Sequence, residues 1–298
     1  MPSLAPSGLP FDDIRSLLGA MPDLPPSRTT GKAWLAAVQQ QQQAAVARPV
    51  LAVFIARHAS SLLTLSAAAA DADEVRLAAL QQGTAPAARA CAASGLGLKV
   101  FELALAHPAP DIFTATGLDE AACAATMAYG MEAVAGGCDV LGLAGFAVGG
   151  EVAAAALGQM LLGGDGGMWL STPEGELRQR QLAALARLGG ERLDPLEALR
   201  RFGGRETAAL AGALLAARLN HVPVVVEGMA ALAAAAVIHA LRPDALAHVR
   251  LAAGPDKGAA RLAERLGLEP LLAVDTTDAT GLSAALALAM LKTLAEVA

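Results

Sequence analysis

The stretch Cys138–Gly164, CDVLGLAGFAVGGEVAAAALGQMLLGG, runs from a short apolar strand through a group of glycines into an alanine-rich helix. A strand over Val140–Leu143 makes Ala144–Gly150 a turn whose backbone N–H groups are free to approach a phosphate. The helix beginning at Glu151 then directs its positive end at the same place. Any glycine-rich strand-to-helix connection has this form, so the motif takes its meaning from what surrounds it.

From Pro49 onward the surroundings alternate. Continuously apolar runs at Val50–Ile55, Leu98–Leu103, Val140–Leu143, Val222–Val226 and Val249–Ala252 read as strands. Helical patterns precede or separate them at Phe11–Met21, Lys32–Ala47, Thr84–Ser94, Asp119–Ala135, Glu151–Leu162, Glu176–Leu188, Glu206–Leu219, Met229–Leu241 and Pro255–Leu266, with a last helix over Thr280–Val297. Strands that are apolar on both faces and joined by helices predict a parallel sheet covered on both sides, an α/β Rossmann-like layer of mainly six strands. In such sheets ligands bind beyond the carboxyl ends of the strands. The residues to inspect are therefore Ala56–Ala59, Ala144–Gly150, Glu227–Met229 and Ala253–Lys257.

Composition narrows the function classes. The 298 residues are 55% hydrophobic, mostly alanine and leucine, with only 3% aromatic residues, so the core must come from closely approaching helices and strands with little ring packing. The net charge of −6 and the absence of a basic run interleaved with aromatics argue against nucleic acid and against an anionic membrane surface. Cys91, Cys123 and Cys138 are widely spaced with no CxxC, and read as buried small hydrophobes in a reducing compartment. The N-terminus lacks a basic region followed by an apolar one, so no signal peptide is expected, and the apolar stretches Thr207–Leu219 and Met229–Leu241 are too short to span a bilayer. His107, His221, His239 and His248 sit singly, with no zinc spacing, and neither GxSxG nor a Walker lysine motif occurs.

Several long runs carry a family resemblance. These are FDDIRSLLGAMP, PVLAVFIARHA, GTAPAARACAASGLGLKVFEL, MAYGMEAVAGGCDVLGLAGF, LRRFGGRETAALAGALLAARLNHVPVVVEGMAALAAAAVIHAL and RLGLEPLLAVDTTDATGLSAALALAMLK. Together they resemble the CobT family, the nicotinate-nucleotide:dimethylbenzimidazole phosphoribosyltransferases of cobalamin lower-ligand assembly, over nearly the whole chain. The resemblance implies no cofactor and no metal, small-molecule substrates, a cytoplasmic location and a homodimer, to which a hetero-partner could add. It also implies a small helical layer drawn from both ends of the chain. The expected organisation is residues 1–48 as an N-terminal arm and helices, 49–275 as the large α/β domain and 276–298 as a returning helix.

Site residues follow from matching motifs. The family's GEMGIGNTT phosphate loop corresponds here to Ala144–Val152, keeping Gly149 and Gly150 but not the asparagine or threonines, and Arg180 stands for the lysine of the later helix. Glu151, in the first helical turn, is expected to satisfy the N–H groups a phosphate would use, so that Glu151→Thr should tighten nucleotide binding. The base and ribose would meet His58 of the FAGDHG-like turn, Gly203 and Gly204 of GGRE, and Glu227. The catalytic glutamate of the family is matched by Asp278, either as a base one methylene shorter or as a helix-capping aspartate. Two readings stay open. The chain is a phosphoribosyltransferase that moves the phosphoribosyl group of nicotinate mononucleotide to a benzimidazole-like base, or it is a catalytically inactive paralogue that keeps the fold and serves as a binding or regulatory partner.

Overall fold

A computed structural model describes residues 10–24, 31–59, 71–114, 116–189, 192–254, 257–274, 276 and 280–297. Its centre is a wholly parallel sheet of β1 (Pro49–Arg57), β2 (Gly97–Glu102), β3 (Val140–Val148), β4 (Val224–Glu227), β5 (Val249–Ala253) and β6 (Pro270–Leu272). The strands are ordered β2-β1-β3-β4-β5-β6. The order reverses between β1 and β3. That crevice, at the carboxyl ends, is where a ligand has room between the outgoing connections.

Alternate residues of β1 feed two separate cores. Ala52, Phe54 and Ala56 face one side, and Leu51, Val53 and Ile55 the other. The first face is covered by α5 (Glu120–Gly130), α6 (Gly150–Leu162), α9 (Gly204–Leu219) and α10 (Gly228–Leu241), with α1 (Pro10–Gly19), α8 (Pro195–Ala198) and α11 (Lys257–Arg265) at its margins. The second is covered by α2 (Lys32–Gln39), α3 (Ala72–Gln81), α4 (Pro86–Ser94) and α12 (Leu282–Val297), through Trp34, Leu77, Cys91, Leu288 and Leu291. The remaining helix, α7 (Glu176–Arg187), follows α6. The α/β sheet expected from the sequence is thus present, with six strands. Residues of α2 and α12, from opposite ends of the chain, meet in one core against the sheet.

Small residues set how closely the helices approach. In α9 every residue from Glu206 to Arg218 is buried, and between Thr207 and Arg218 these are alanines, leucines and one glycine, which fit against neighbours on several sides. The three cysteines are free and buried, and burial pushes their thiols up to about 11 for Cys91 and Cys138 and about 12 for Cys123.

Besides β6 and the short α8, which no sequence pattern marked, two helices differ from the sequence expectation. The helix expected over Lys32–Ala47 stops at Gln39, because Gln40 turns left-handed with φ of 53°. The Gln39 side chain meanwhile both donates to the Ala45 carbonyl at 2.7 Å and accepts its N–H at 3.1 Å, competing with the helical ladder. Helix α3, which carries buried Asp73, Leu77 and Leu80, was not anticipated, since its pattern DEVRLAAL is only weakly amphipathic.

Candidate functional site

The expected turn over Ala144–Gly150 is much narrower in the structure. Strand β3 continues to Val148, paired residue by residue with β1 as far as Arg57↔Val148, because β1 supplies ladder partners to its end. The Val148 N–H donates to Asp73 Oδ1 at 2.8 Å, fixing the strand's last residue. The turn itself is one residue, Gly149, at φ 83° and ψ 0°, and α6 begins at Gly150. Only glycine takes that conformation without strain. The anion-facing N–H groups are therefore those of the first turn of α6, presented at the β1/β3 crevice.

Directly beneath this turn lies a buried pair. His58, one residue beyond β1, contacts Glu206 of α9, Nε2 to Oε1 at 2.8 Å, with 2% and 0% of the two side chains exposed. Two glycines make room for it. A Cβ on Gly150 would meet Glu206 Oε1 at 2.8 Å, and one on Gly204, whose φ is +68°, would meet His58 Cε1 at 2.3 Å and Glu206 Oε2 at 3.0 Å. Burial alone would strip the proton from His58, but the charge and hydrogen bond of Glu206, helped by Asp73, outweigh it and hold the imidazole pKa above its ordinary value. Glu206 Oε2 has no hydrogen-bond partner among the described residues. His58 and Gly204, both expected to meet the base or ribose, are thus brought together with Gly150, and the imidazole Nε2 faces Glu206.

A second cluster flanks the first. Arg57 donates to Asp73 at 3.0 Å and to Glu74 at 3.1 Å. Burial raises the pKa of Asp73 against the opposing pull of Arg57 and the Val148 N–H. Arg76 of α3 stands with its guanidinium 4.0 Å from the centre of the Phe146 ring and donates to Thr280 Oγ1 at 2.7 Å, tying β3 to the approach to α12. Sequence reasoning missed Asp73 and Arg76 because it missed the helix that carries them.

The remaining residues divide differently. Gly203 closes a five-residue π-turn, Leu199–Gly203, and is buried beside Leu199 and Thr207. Glu227, at the end of β4, accepts the N–H groups of Gly281 at 2.6 Å and Ala284 at 2.7 Å, and so caps α12. Burial raises its pKa against those N–H groups. Glu151 does not satisfy the N–H groups of its own helix as expected. Its carboxylate accepts from the backbone of Ser171 and Thr172, because Arg178 holds that segment in place through the carbonyls of Gly167, Leu170 and Thr172. Arg180 lies half-buried on α7, two residues further on. Asp278, Pro255, Asp256 and Arg28–Thr30 lie outside the described residues.

Elsewhere the chemistry is structural. His248 is buried between the carbonyls of Ala245 and Leu214, and burial pushes its pKa down to about 3, so it is neutral. A cavity of about 250 Å³ lined by His239, Leu246, Arg250 and Leu268 sits beside residues that lead into the amino end of β5, whereas the Gly149 turn follows the carboxyl end of β3. Among the described residues no group of His, Cys, Asp or Glu could hold a metal ion, and no helix is long and apolar enough to cross a membrane.

Known proteins match this arrangement along nearly its whole length. A family model described as Phosphoribosyltransferase matches residues 30–298. A nicotinate-nucleotide–dimethylbenzimidazole phosphoribosyltransferase of Brucella anthropi is 38% identical, covering 97% of this chain and 94% of its own. That of Brucella canis is 39% identical with the same coverage. Among solved structures, the Thermus thermophilus enzyme of that name superposes with a TM-score of 0.80 at 22% identity, covering 96% of this chain and 94% of its own. A structure described as CobT from the same organism gives 0.80 at 23% identity.

Proposed function

Because the chain belongs to the nicotinate-nucleotide–dimethylbenzimidazole phosphoribosyltransferase family, we propose that it moves the phosphoribosyl group of nicotinate mononucleotide to a benzimidazole-like base, in assembly of the cobalamin lower ligand. The observation that carries this reading is the one-residue turn at Gly149, which delivers the amino end of α6 into the β1/β3 crevice. A nucleotide phosphate held there is bound by N–H groups and by the helix dipole. The base nitrogen attacks C1 of the ribose, the bond to nicotinate breaks, and nicotinate leaves with the bonding pair. The azole proton goes to a carboxylate, for which Asp278 is the candidate. Charge developing on the ribose is the natural target of the acidic groups at this edge. The working unit in this reading is a cytoplasmic homodimer, and light scattering at micromolar concentration tests its mass.

A second reading is favoured by two observations. The Glu227 carboxylate is committed to capping α12, and the turn lacks the asparagine and threonines of the family's loop, which suits a catalytically inactive paralogue that serves as a binding or regulatory partner. One experiment separates the two. The purified protein is incubated with nicotinate mononucleotide and dimethylbenzimidazole, and nicotinate release is followed with nucleotide binding measured in parallel. The expected result is slow release that requires the base and falls in Asp278→Asn. Absence of release selects the second reading, and the parallel binding measurement shows whether that partner still takes the nucleotide.

A further inference from the structure

We propose that His58 and Glu206 together govern anion access to the Gly149 turn, with Glu206 as a positioning residue whose carboxylate tolerates a phosphate above it only while His58 carries the compensating proton. The inference rests on reading that turn as the phosphate site.

The geometry leaves no space between carboxylate and turn. The missing side chains of Gly150 and Gly204 are what admit the Glu206 carboxylate, and that same closeness puts its charge against Gly150, in the first turn of α6. The oxygen beside Gly150 is Oε1, engaged by His58, and Oε2, beside Gly204, has no donor among the described residues, so these residues leave half of the carboxylate without a hydrogen bond. With water excluded, the field of an unbalanced charge reaches the turn weakly screened. Among the described residues no other group near the pair balances it. Asp73 of α3 adds negative charge but is paired with Arg57 of β1, which also takes Glu74. Arg205 of α9 donates to the His107 carbonyl and opposes the His58 proton. Glu151 of α6 is turned toward Ser171 and Thr172. Among the described residues His58 alone converts Glu206 from a buried anion into half of a neutral pair.

The test titrates nicotinate mononucleotide, and separately inorganic phosphate, into wild type, Glu206→Gln and His58→Asn by calorimetry from about pH 5.5 to 9, an interval that contains the imidazole range and the region above it. Comparison with Glu206→Gln cancels the ligand's own titration. Wild-type affinity relative to Glu206→Gln should fall roughly tenfold as His58 deprotonates, the size of one pKa unit of coupling. His58→Asn should bind weakly at every pH. Parallel pH profiles for wild type and Glu206→Gln would overturn the inference, as would His58→Asn binding as tightly as wild type. Should either variant fail to fold, the unaltered protein still decides. Saturating phosphate must raise the pKa of the His58 ring read by NMR, by linkage, and an unmoved value refutes the coupling. If wild type binds neither probe even at low pH, the phosphate-site reading itself falls and takes this inference with it.

Discussion

Gly212 of α9 stands so close to Met127 of α5 that a Cβ on the glycine would meet the methionine carbonyl oxygen at 1.9 Å, and Gly130 stands in the same relation to the carbonyl of Ala209. The two helices touch backbone to backbone. A chain with few aromatics reaches native packing density in this way, since dispersion contacts between main chains replace those of large side chains.

Gly212→Ala should therefore destabilise the protein by about 3 kcal/mol, the upper end of the range for overpacking, because the obstacle is backbone and cannot rotate away. Urea unfolding midpoints measure it. Gly19→Ala, where nothing lies within 4 Å of the added methyl, is the matched control and should leave the midpoint unchanged or slightly raised.

The His58–Glu206 pair makes stability depend on pH in a known direction. The folded pKa of His58 is raised above its ordinary 6.5, so the pair's contribution is fully present below that ordinary value and is lost as pH rises through the folded one. Thermal melts of wild type should fall in midpoint over that interval, and the slope should be shallower in Glu206→Gln. His58→Ala, which leaves Glu206 buried without a partner, should cost about 3–5 kcal/mol at neutral pH. Equal slopes in wild type and Glu206→Gln would contradict the assignment.

Glu151 serves the segment around Ser171 rather than a phosphate. Glu151→Ala leaves two backbone N–H groups without their acceptor and should cost about 1–3 kcal/mol. Amide exchange at Ser171 and Thr172 should accelerate while that of β3 stays slow. Nucleotide affinity should weaken or hold in Glu151→Thr, the reverse of the tightening expected from the sequence.

Glu227 caps the last helix, so Glu227→Ala should cost about 1–2 kcal/mol, the scale of a lost helix cap. Exchange at Gly281 and Ala284 should rise, as both donate to this carboxylate. Glu227→Gln, which keeps one acceptor oxygen, should recover about half of the loss. A variant that abolished nucleotide binding with unchanged stability would show instead that Glu227 serves the ligand.

The periodicity of the chain was enough to determine a parallel α/β sheet, because strands apolar on both faces and alanine-rich helices between them leave no other way to bury so much surface. It also located the Gly149–Gly150 turn, since glycine at a strand-to-helix junction has a local meaning. Local pattern could not determine where β3 ends. That depended on β1 offering ladder partners as far as Arg57 and on Asp73 arriving from a weakly amphipathic helix to receive the last N–H. Nor could it say what the acids do. Glu151, Glu206 and Glu227 are alike in sequence as helix-start or strand-end carboxylates, and each became something different: a tie to Ser171 and Thr172, a partner of His58, a cap on α12. The reason is physical. A carboxylate takes whichever donor lies within about 3 Å once its water is gone, and donors that close come from segments as far as 148 residues away in the chain, which only the packed sheet and its helices bring together.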